Sequence, residues 1–452
     1  MAQIGVIIIM NNSNVHIIHA GTMDNRGTQA LLLSDISMIK RVLDENVIFS
    51  ISTSDINGVK NLNQNLDAIV PPMIDIPYQK ADSMAKKFGF GRESLRYKVL
   101  ALACLGFMVI QALASIFSVV LEKNNLKAFY RVESVKRLKN CDLVISCSGE
   151  NFKEGASLLP FNLFWRISWW SMLIARTWEI LVAKYFRKTV VMFPNSLGPF
   201  RTWIGKFLSR LSLNNCSFVL IRDPISYDLV KSLGIKSNII LTADTALLYK
   251  SPDQVTFYKS ERKNPIIGVN AGIYGFSLSN KEVRNYIIAH AQALDESIEK
   301  YGFKVFLLPH FVSGFKQDDM ELCKQILGKM KNNDQVDIFV AKTVDEFKSF
   351  INNMDMIISS KMHPAIFAAS GYIPTLSIAY DHKQIGFFKR LDMEEYVINI
   401  CMITSKILLF KISQVWNNRV SIKKTLMKKI PILQRNIEMA IRKSITNFLV
   451  NK

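Results

Sequence analysis

Short runs of β-branched residues alternate with helix-length amphipathic segments along nearly the whole chain. In the first half these runs are VHIIHA, VIFSIST, DLVISCS, TVVMFP and SFVLIRD, and in the second half they are IIGVNAG, KVFLLPH, DIFVAK, MIISSKMH and IPTLSIAY. Strands that alternate with helices form parallel sheets built from βαβ units. The sequence therefore predicts an α/β fold in which two Rossmann-like, parallel-sheet domains face each other across a cleft.

The length of 452 residues is too great for one hydrophobic core of ordinary size. We predict an N-terminal Rossmann-like domain over residues 1–250, a C-terminal one over residues 262–402 and a basic helical tail over residues 403–452. The polar stretch 251–265, with Pro252 and Pro265 as breakers, is predicted to link them. Because such sheets bind ligands beyond the carboxyl ends of their strands, we expect the chemistry in the cleft.

A hydrophobic helical insertion is predicted over about residues 95–185. Residues 99–121 form a stretch of 23 residues without a charge, which can span a bilayer, lie on its surface or be buried. A single span would separate strands that we assign to one sheet. A second apolar stretch, starting at Leu158, contains four of the six tryptophans, which favour membrane interfaces. We predict that the two stretches form one monotopic membrane patch.

The formal net charge of +20 is suited to anionic lipid, acidic substrates or nucleic acid. Nucleic acid is not a predicted partner, because the chain has no recognisable module for it. The six scattered cysteines lack metal-ligand spacing and are predicted to be reduced and mostly buried. The N-terminus has no basic region before its apolar run and no cleavage site. These features predict a cytoplasmic protein at the inner membrane face, with the oligomeric state left open.

Small and polar residues follow two of the predicted strands in the first half. Asn25 and Gly27 lie in the loop 21–30 that opens a helix, where free backbone amides can bind an anion. The alternative is that they only form the tight turn. Gly149 and Asn151 follow the strand in DLVISCS and allow a ligand to approach the backbone closely. All four residues are predicted to line the cleft.

Arg222 ends the strand of SFVLIRD, and the helix after it is predicted to have Asp223 as N-cap and Pro224 as first residue. A guanidinium at this place can bind a carboxylate or phosphate in two-pronged geometry. A salt bridge to Asp223 or Asp244 is the alternative.

The most informative segment ends a strand on Ser359 and Ser360 and places Lys361 and His363 at the start of a helix. A lysine and a histidine two residues apart can bracket an anion while the imidazole gives or takes a proton. The helix N-terminus also favours negative charge. His310 ends another strand and is a secondary candidate for the cleft, with a packing role as the alternative.

Five segments in chain order resemble the motifs of the polysaccharide pyruvyl transferase family. They are NRGTQAL, DLVISCSGEN, NSLGPF, RDPISYDLVKSLGI with ADTALL, and SSKMHPAIFAASGYIPTLSIAYDHKQIGF. The resemblance covers nearly the whole chain. It implies a fold similar to that of GT-B glycosyltransferases, with phosphoenolpyruvate as donor. The implied acceptor is a pair of sugar hydroxyls of a polysaccharide or a lipid-linked oligosaccharide, which become a cyclic pyruvate ketal.

The resemblance also implies roles for single residues. His363 would be the catalytic acid, and Arg222, Lys361 and Ser360 would bind the donor. The family usually has Arg where this chain has Lys361, and Lys lacks the planar fork of Arg. The family also more often has Asp after the glycine of NRGTQAL.

The Y-x-x-K segment adds Tyr380 and Lys383 to the residues predicted to line the cleft. Protonation of the donor's methylene carbon builds positive charge on the adjacent carbon, so one acid and two anion-binding cations suffice. Neither a metal nor a cofactor is predicted.

Two other functions are compatible with these residues. A nucleotide-sugar glycosyltransferase of GT-B architecture would use the same cleft, because a fold does not fix a function. The chain has no Asp-x-Asp, which argues against a metal-dependent GT-A enzyme only. An inactive, membrane-associated scaffold is the third hypothesis, and the lysine at position 361 is its main support.

Overall fold

The computed structural model describes residues 13–89, 94–126, 132–155, 163–251, 264–273, 279–311 and 318–450. Within these ranges the chain forms two parallel sheets, one of eight strands and one of six. Each of the predicted apolar runs contains or overlaps a strand, so the α/β prediction is confirmed. The predicted link 251–265 lies, apart from its ends, outside the described residues.

The first sheet has the strand order β3-β2-β1-β4-β6-β7-β8, and β5 pairs with β6. Its strands are β1 (Asn14–Ala20), β2 (Ile48–Thr53), β3 (Ala68–Val70), β4 (Leu143–Ser146), β5 (Gly149–Phe152), β6 (Thr189–Leu197), β7 (Phe218–Ile221) and β8 (Asn238–Leu241). The second sheet has the order β11-β10-β9-β12-β13-β14. Its strands are β9 (Ile266–Asn270), β10 (Lys304–Leu307), β11 (Val336–Ile338), β12 (Met356–Ser359), β13 (Thr375–Ala379) and β14 (Val397–Asn399).

The helices flank both sheets. They are α1 (Arg26–Val42), α2 (Ile56–Lys60), α3 (Pro77–Phe88), α4 (Leu95–Lys123), α5 (Glu133–Asn140), α6 (Leu163–Tyr185), α7 (Trp203–Asn214), α8 (Pro224–Ser232), α9 (Asn280–Tyr301), α10 (Asp319–Leu327), α11 (Val344–Ile351), α12 (Met362–Ser370), α13 (His382–Arg390), α14 (Ser405–Asn417) and α15 (Arg419–Val450). Many begin at a polar cap predicted by ordinary helix chemistry. Asn25 caps α1 and Asp223 caps α8, and Pro224 is the first residue of α8 as predicted.

Both sheets reverse their strand order at one point, between β1 and β4 in the first and between β9 and β12 in the second. Loops that leave such a reversal in opposite directions open a crevice at the carboxyl edge of the sheet. The loop after β1 leads to Asn25 and Gly27, and the loop after β12 leads to Lys361 and His363. The sequence segments with the most chemistry thus lie at the two reversal points.

The C-terminal helices pack on different halves of the molecule. The first half is the part that contains the eight-stranded sheet, and the second half is the part that contains the six-stranded sheet. Helix α14 packs on α9 of the second half, whereas α15 crosses back to α1, β6 and β7 of the first half. Ile430, Ile437 and Ile441 of α15 are fully buried there. The side-chain amide of Gln434 donates a hydrogen bond of 2.8 Å to the carbonyl of Leu247. The basic tail is therefore an integral, packed part of the fold.

The two apolar stretches of the first half differ in their surroundings. Buried positions on α4 recur every three or four residues, from Tyr97 through Ala101, Cys104 and Met108, so one face packs inward. The other face is apolar and exposed, at residues that include Val99, Leu102, Phe107, Val109, Ile110, Leu113, Ile116, Phe117 and Val120. Among the helices described, α4 is long and apolar enough to cross a membrane, judged by length and composition alone.

Helix α6 departs from the prediction of a shared membrane patch. Trp169, Met172 and Leu173 of α6 are buried in the core of the first half. The indole N–H of Trp170 donates to Glu154, and that of Trp178 donates to Ser115 of α4. The prediction that these tryptophans face a membrane interface is therefore wrong for these described residues, because they are used in packing α6 against the sheet and α4.

The predicted state of the cysteines is confirmed. All six are free thiols, and five of them are buried.

Candidate active site

The imidazole of His363 lies where the two halves meet. His363 is in the first turn of α12, directly after β12, and the first turn of α1 packs against its ring from the other half. A Cβ atom added to Gly27 would lie only 2.0 Å from Nδ1 of His363. Nε2 of His363 is buried and has no hydrogen-bond partner among the described residues. Gly27 thus allows an otherwise impossible approach of backbone to imidazole.

Burial lowers the pKa of His363 to about 4. The carboxylate of Asp244 opposes this shift, Arg222 and Lys383 add to it, and Glu150 opposes it. These four charged groups all act on the protonation of the imidazole. Without a ligand, His363 is a neutral base at neutral pH.

Lys361 is positioned by a carboxylate of the same half. Its Nζ lies 2.7 Å from Oδ1 of Asp319 and 5.2 Å from the centre of the Phe311 ring. The other oxygen of Asp319 accepts hydrogen bonds from the backbone N–H groups of His310 and Phe311. One aspartate therefore fixes both the ammonium group and the backbone at His310 and Phe311.

Ser360 directly precedes Lys361, and its N–H, carbonyl and hydroxyl groups all form hydrogen bonds within the protein. Its backbone N–H donates to the carbonyl of Asn270, and its carbonyl accepts from the amide of Gln384. Its hydroxyl forms a hydrogen bond with the hydroxyl of Tyr286. The structure places Ser360 as a fully buried support of the turn before Lys361.

Arg222 is buried at the end of β7. Nη1 donates to Asp244 over 2.6 Å, and Nε donates to the hydroxyl of Ser196 over 2.7 Å. The salt bridge to Asp244 considered from the sequence is thus present, whereas Asp223 caps α8 instead. A guanidinium has five N–H donors, so Arg222 can hold a ligand in addition to these partners.

Residues at the start of α1 join the two halves. Oδ1 of Asn25 lies 3.1 Å from Nε2 of His310, whose ring stacks 6.2 Å from that of His363. Arg26 reaches further and donates to the carbonyls of Pro309, His310 and Ala341. Burial places the pKa of His310 well below its usual value, so its ring is neutral. Asn25 and His310 are therefore together in the cleft, in contact with each other.

A cluster of charged side chains around Glu150 joins the two halves at the start of β5. Oε2 of Glu150 lies 2.6 Å from Nζ of Lys153 and 2.8 Å from Nζ of Lys383, which comes from α13 of the other half. The ammonium group of Lys383 lies 5.8 Å from the centre of the Tyr380 ring. Tyr380 and Lys383 of the Y-x-x-K segment are thus neighbours in the cleft.

Gly149 is the first residue of β5, immediately before Glu150. Asn151 is buried, and its side-chain amide donates to the carbonyl of Cys147. Its backbone N–H donates to Oδ1 of Asn195. The structure uses Asn151 to hold the loop between β4 and β5, which is how the cluster around Glu150 is positioned.

Sequence reasoning does not single out Glu150, Lys153, Asp319 or Arg26. Glu150 stands between two residues that it does select, and a charged residue in a small-residue loop after a strand is a signal that could have found it. Arg26 lies inside NRGTQAL and could have been found in the same way. Asp319 has no comparable local signal, because its role depends on a contact between the start of α10 and Lys361, which is 42 residues further along the chain.

No group of three or more His, Cys, Asp or Glu side chains in the described ranges is arranged to hold a metal ion. Within the same ranges, the cleft brings together several cations and the imidazole of His363, whose Nε2 has no partner there. Arg222, Lys361 and Lys383 all lie at carboxyl ends of parallel strands, as the sequence segments indicate. Such a site is suited to an anionic substrate and a proton transfer.

Comparison with known proteins agrees with this arrangement. The model of the family "Polysaccharide pyruvyl transferase" matches residues 31–382, which include Arg222, Lys361 and His363. The chain belongs to the polysaccharide pyruvyl transferase family. It is accordingly a transferase, with a pyruvyl transferase role.

A relative supports the link to polysaccharide synthesis. The amylovoran biosynthesis protein AmsJ of Erwinia amylovora is 20% identical over 443 residues, which are 94% of this chain and 98% of AmsJ. The pyruvyl transferase resemblance seen in the five segments is therefore confirmed.

Solved structures confirm the GT-B-like fold. The UDP-GlcNAc 2-epimerase of Neisseria meningitidis superposes with a TM-score of 0.55 at 13% identity, over 97% of this chain and 100% of that chain. An α,α-trehalose 6-phosphate synthase of Burkholderia multivorans has a TM-score of 0.52 at 10% identity, over 98% of this chain and 99% of that one. At these identities the likeness concerns the fold alone.

Proposed function

We propose that this transferase moves the enolpyruvyl group of phosphoenolpyruvate onto two hydroxyls of one sugar and so forms a pyruvate ketal. The single observation that best supports this is the buried, unpartnered Nε2 of His363, in a cleft that also contains Arg222 and Lys361. The donor carries a carboxylate and a phosphate, which match the cations, and its methylene carbon needs one proton. Family membership supports the same reaction.

The proposed steps balance in atoms and charge. His363 gives a proton to the methylene carbon, and the oxygen of the first sugar hydroxyl bonds to the adjacent carbon of the donor. The bond from that carbon to the phosphate oxygen then breaks, and phosphate leaves with the electron pair of that bond and with the proton of the first hydroxyl. The second hydroxyl attacks the same carbon, and its proton returns to His363. The products are the cyclic ketal and inorganic phosphate, and neither a redox step nor a cofactor is involved.

The low pKa of His363 has to be reconciled with the role of an acid. Burial holds the free imidazole neutral, with a pKa of about 4. A bound donor brings negative charge beside the ring, and nearby negative charge favours the protonated form. We propose that donor binding raises the pKa of His363, so that the acid is charged when the donor is in place.

Arg222 and Lys361 are the proposed donor-binding cations. Each is already held by one carboxylate, Asp244 or Asp319, so neither needs to reorganise when an anion arrives. Lys361 presents a point charge and not a planar fork, which suits a single oxygen of the phosphate or carboxylate. Ser360 contributes through the turn that carries Lys361.

We place the reaction at the cytoplasmic face of a membrane, with a lipid-linked oligosaccharide as acceptor. Support comes from the exposed apolar face of α4 and from the net charge of +20, which favours anionic lipid. Strand β3 precedes α4 and β4 follows it in the same sheet, so one crossing of the bilayer by α4 would put parts of that sheet on opposite sides. Helix α4 would therefore lie in the surface of the membrane.

The test is phosphate release from phosphoenolpyruvate in the presence of a panel of lipid-linked sugars, with wild type and His363→Ala compared. We expect release that requires both a sugar and His363. Release by the variant at the wild-type rate would remove His363 as the acid. No release with any sugar, and no thermal shift with the donor, would favour a nucleotide-sugar glycosyltransferase or an inactive scaffold.

A further inference from the structure

Only one of the two carboxylate oxygens of Glu150, in the cleft, has partners among the described residues. Oε2 of Glu150 contacts Nζ of both Lys153 and Lys383, at 2.6 and 2.8 Å. Oε1 of the same group is buried and has no hydrogen-bond partner in the described part of the chain. The charge of Glu150 also acts against the lowering of the pKa of His363.

Glu150 is ionised at neutral pH. Burial alone would raise the pKa of its carboxyl group, but the ammonium groups of Lys153 and Lys383 hold that pKa well below its usual value. An ionised oxygen that is buried without a donor is unfavourable, and native sites normally satisfy such groups. We therefore expect an N–H or O–H group to donate a hydrogen bond to Oε1 when the substrates are bound.

The chemistry of the two substrates shows which of them can donate a hydrogen bond to Oε1. At neutral pH the carboxylate and phosphate of the donor substrate are predominantly hydrogen-bond acceptors and carry negative charge. They would repel Oε1 instead of satisfying it. A sugar offers hydroxyl groups, each of which is a donor, and carboxylate oxygens bind such groups strongly.

We propose that Oε1 of Glu150 accepts a hydrogen bond from a hydroxyl of the acceptor sugar, which makes Glu150 an acceptor-binding residue. This assignment rests on the proposed function, because it concerns the second substrate of the same reaction. The carboxylate orients the hydroxyl toward the donor carbon. It is a weak base, since the two lysines stabilise its ionised form, and it does not need to remove the proton.

The contacts of Glu150 indicate that its loss would affect binding of the acceptor sugar and not binding of phosphoenolpyruvate. Lys383 reaches it from α13 of the second half, so the acceptor hydroxyl would be bound at a contact that exists only when both halves are together. The cations Arg222 and Lys361 have their own carboxylates and do not depend on Glu150. Loss of the Glu150 charge should therefore weaken acceptor binding and leave donor binding intact or make it tighter.

The experiment compares wild type with Glu150→Gln, which keeps the shape of the side chain and removes its charge. Glu150→Asp keeps the charge but withdraws it by one methylene, and serves if the first variant unfolds. Asp337→Asn is the matched control, because it removes a carboxylate from an exposed ion pair with Lys304. All proteins are full-length, and circular dichroism checks that they are folded.

Two affinities are measured separately. Saturation-transfer NMR without donor reports binding of p-nitrophenyl glycosides of galactose, glucose, mannose and N-acetylglucosamine. Calorimetry without sugar reports binding of phosphoenolpyruvate. We expect Glu150→Gln to lower the affinity for the bound glycoside about 10-fold or more, as for the loss of a hydrogen bond to a charged group. Its affinity for phosphoenolpyruvate should be unchanged or higher.

The other outcomes would overturn the assignment. Equal glycoside affinity in wild type and variant would show that Oε1 does not bind the acceptor. A parallel fall in both affinities would make Glu150 only a support of the cleft. Failure of every glycoside to bind wild type would leave Oε1 without a sugar hydroxyl to accept from. Failure of phosphoenolpyruvate to bind would instead count against the proposed function, and the glycoside comparison would still be read.

Discussion

Gly27 brings the backbone of the first half against the imidazole of His363. We predict that Gly27→Ala lowers kcat about 100-fold or more, because its Cβ would lie 2.0 Å from Nδ1 and would displace the ring. The measurement is turnover together with thermal unfolding. The control is Gly106→Ala, whose added methyl group meets open space. A Gly27→Ala variant with wild-type kcat would mean that the position of His363 does not matter for turnover.

The protonation of His363 gives a second prediction at this scale. At pH 7.5 the free imidazole is neutral, because burial lowers its pKa to about 4. Donor binding should raise that pKa, so wild type takes up a fraction of a proton when phosphoenolpyruvate binds. By linkage, donor affinity should fall as the pH rises through the raised pKa of the complex.

Calorimetry in buffers with different ionisation enthalpies measures this proton uptake. His363→Gln should bind the donor with no uptake from this group, since an amide does not titrate near neutral pH. Equal uptake by wild type and variant would assign the proton to another residue.

Residues at strand ends are the part of the candidate site that could be predicted from the sequence. His363, Lys361 and Arg222 each follow a run of β-branched residues, and parallel strands place such residues at one edge. The partners of these residues could not be predicted. Asp319 meets Lys361 and Glu150 meets Lys383 through contacts between elements that are far apart in the chain, which local patterns do not encode.

At the scale of elements, α4 and α6 have similar apolar composition but different surroundings. Helix α6 is covered by the sheet and by α3, α5 and α7, whereas α4 is covered on one face only. Only 22% of the most apolar 18-residue window of α4 is buried. Composition predicts that both helices avoid water, but the packing partner that covers each one is a property of the whole half-molecule.

The exposed face of α4 should bind membranes. We predict that Leu113→Asp lowers binding to liposomes that contain anionic lipid about 10-fold or more, because an apolar side chain that is 63% exposed no longer enters the bilayer surface. Sedimentation with liposomes measures this. Val420→Asp on α15 changes a side chain that is equally exposed, at 62%, and should bind as wild type does. Equal loss in both variants would assign the effect to charge alone and not to α4.

At the scale of the whole molecule, α15 packs across the two halves, and we expect it to make them unfold as one cooperative unit. Ile437 is fully buried where α15 packs on the first half, although the chain before it belongs to the second. We predict that Ile437→Ala lowers the free energy of unfolding by about 2–5 kcal/mol and shifts a single transition. Chemical denaturation followed by fluorescence and circular dichroism measures both properties.

Met439 provides the control on the same helix, because its side chain is 63% exposed. Met439→Ala should change the free energy of unfolding by no more than about 0.5 kcal/mol. Two separate transitions in wild type would show that the halves unfold independently and that α15 does not couple them.

The α/β class and the strand runs follow from the alternation of apolar segments, which is a local property. Strands β3, β5, β8 and β14 have only three or four residues, and no periodic pattern marks them in the sequence. The return of α15 to the first half is also invisible to local reasoning. Its amphipathic pattern predicts a buried face but does not say which half of the molecule covers it.

That return means that the main chain passes between the halves twice, once between residues 251 and 264 and again between α14 and α15. A body attached to another at two points rotates freely only about the line that joins them. Opening and closing of the cleft should therefore follow one swing, without sideways drift or twist. Each closure would bring His363 back to the same place beside Gly27. The path of the backbone would thus restore the position of the acid relative to the substrate.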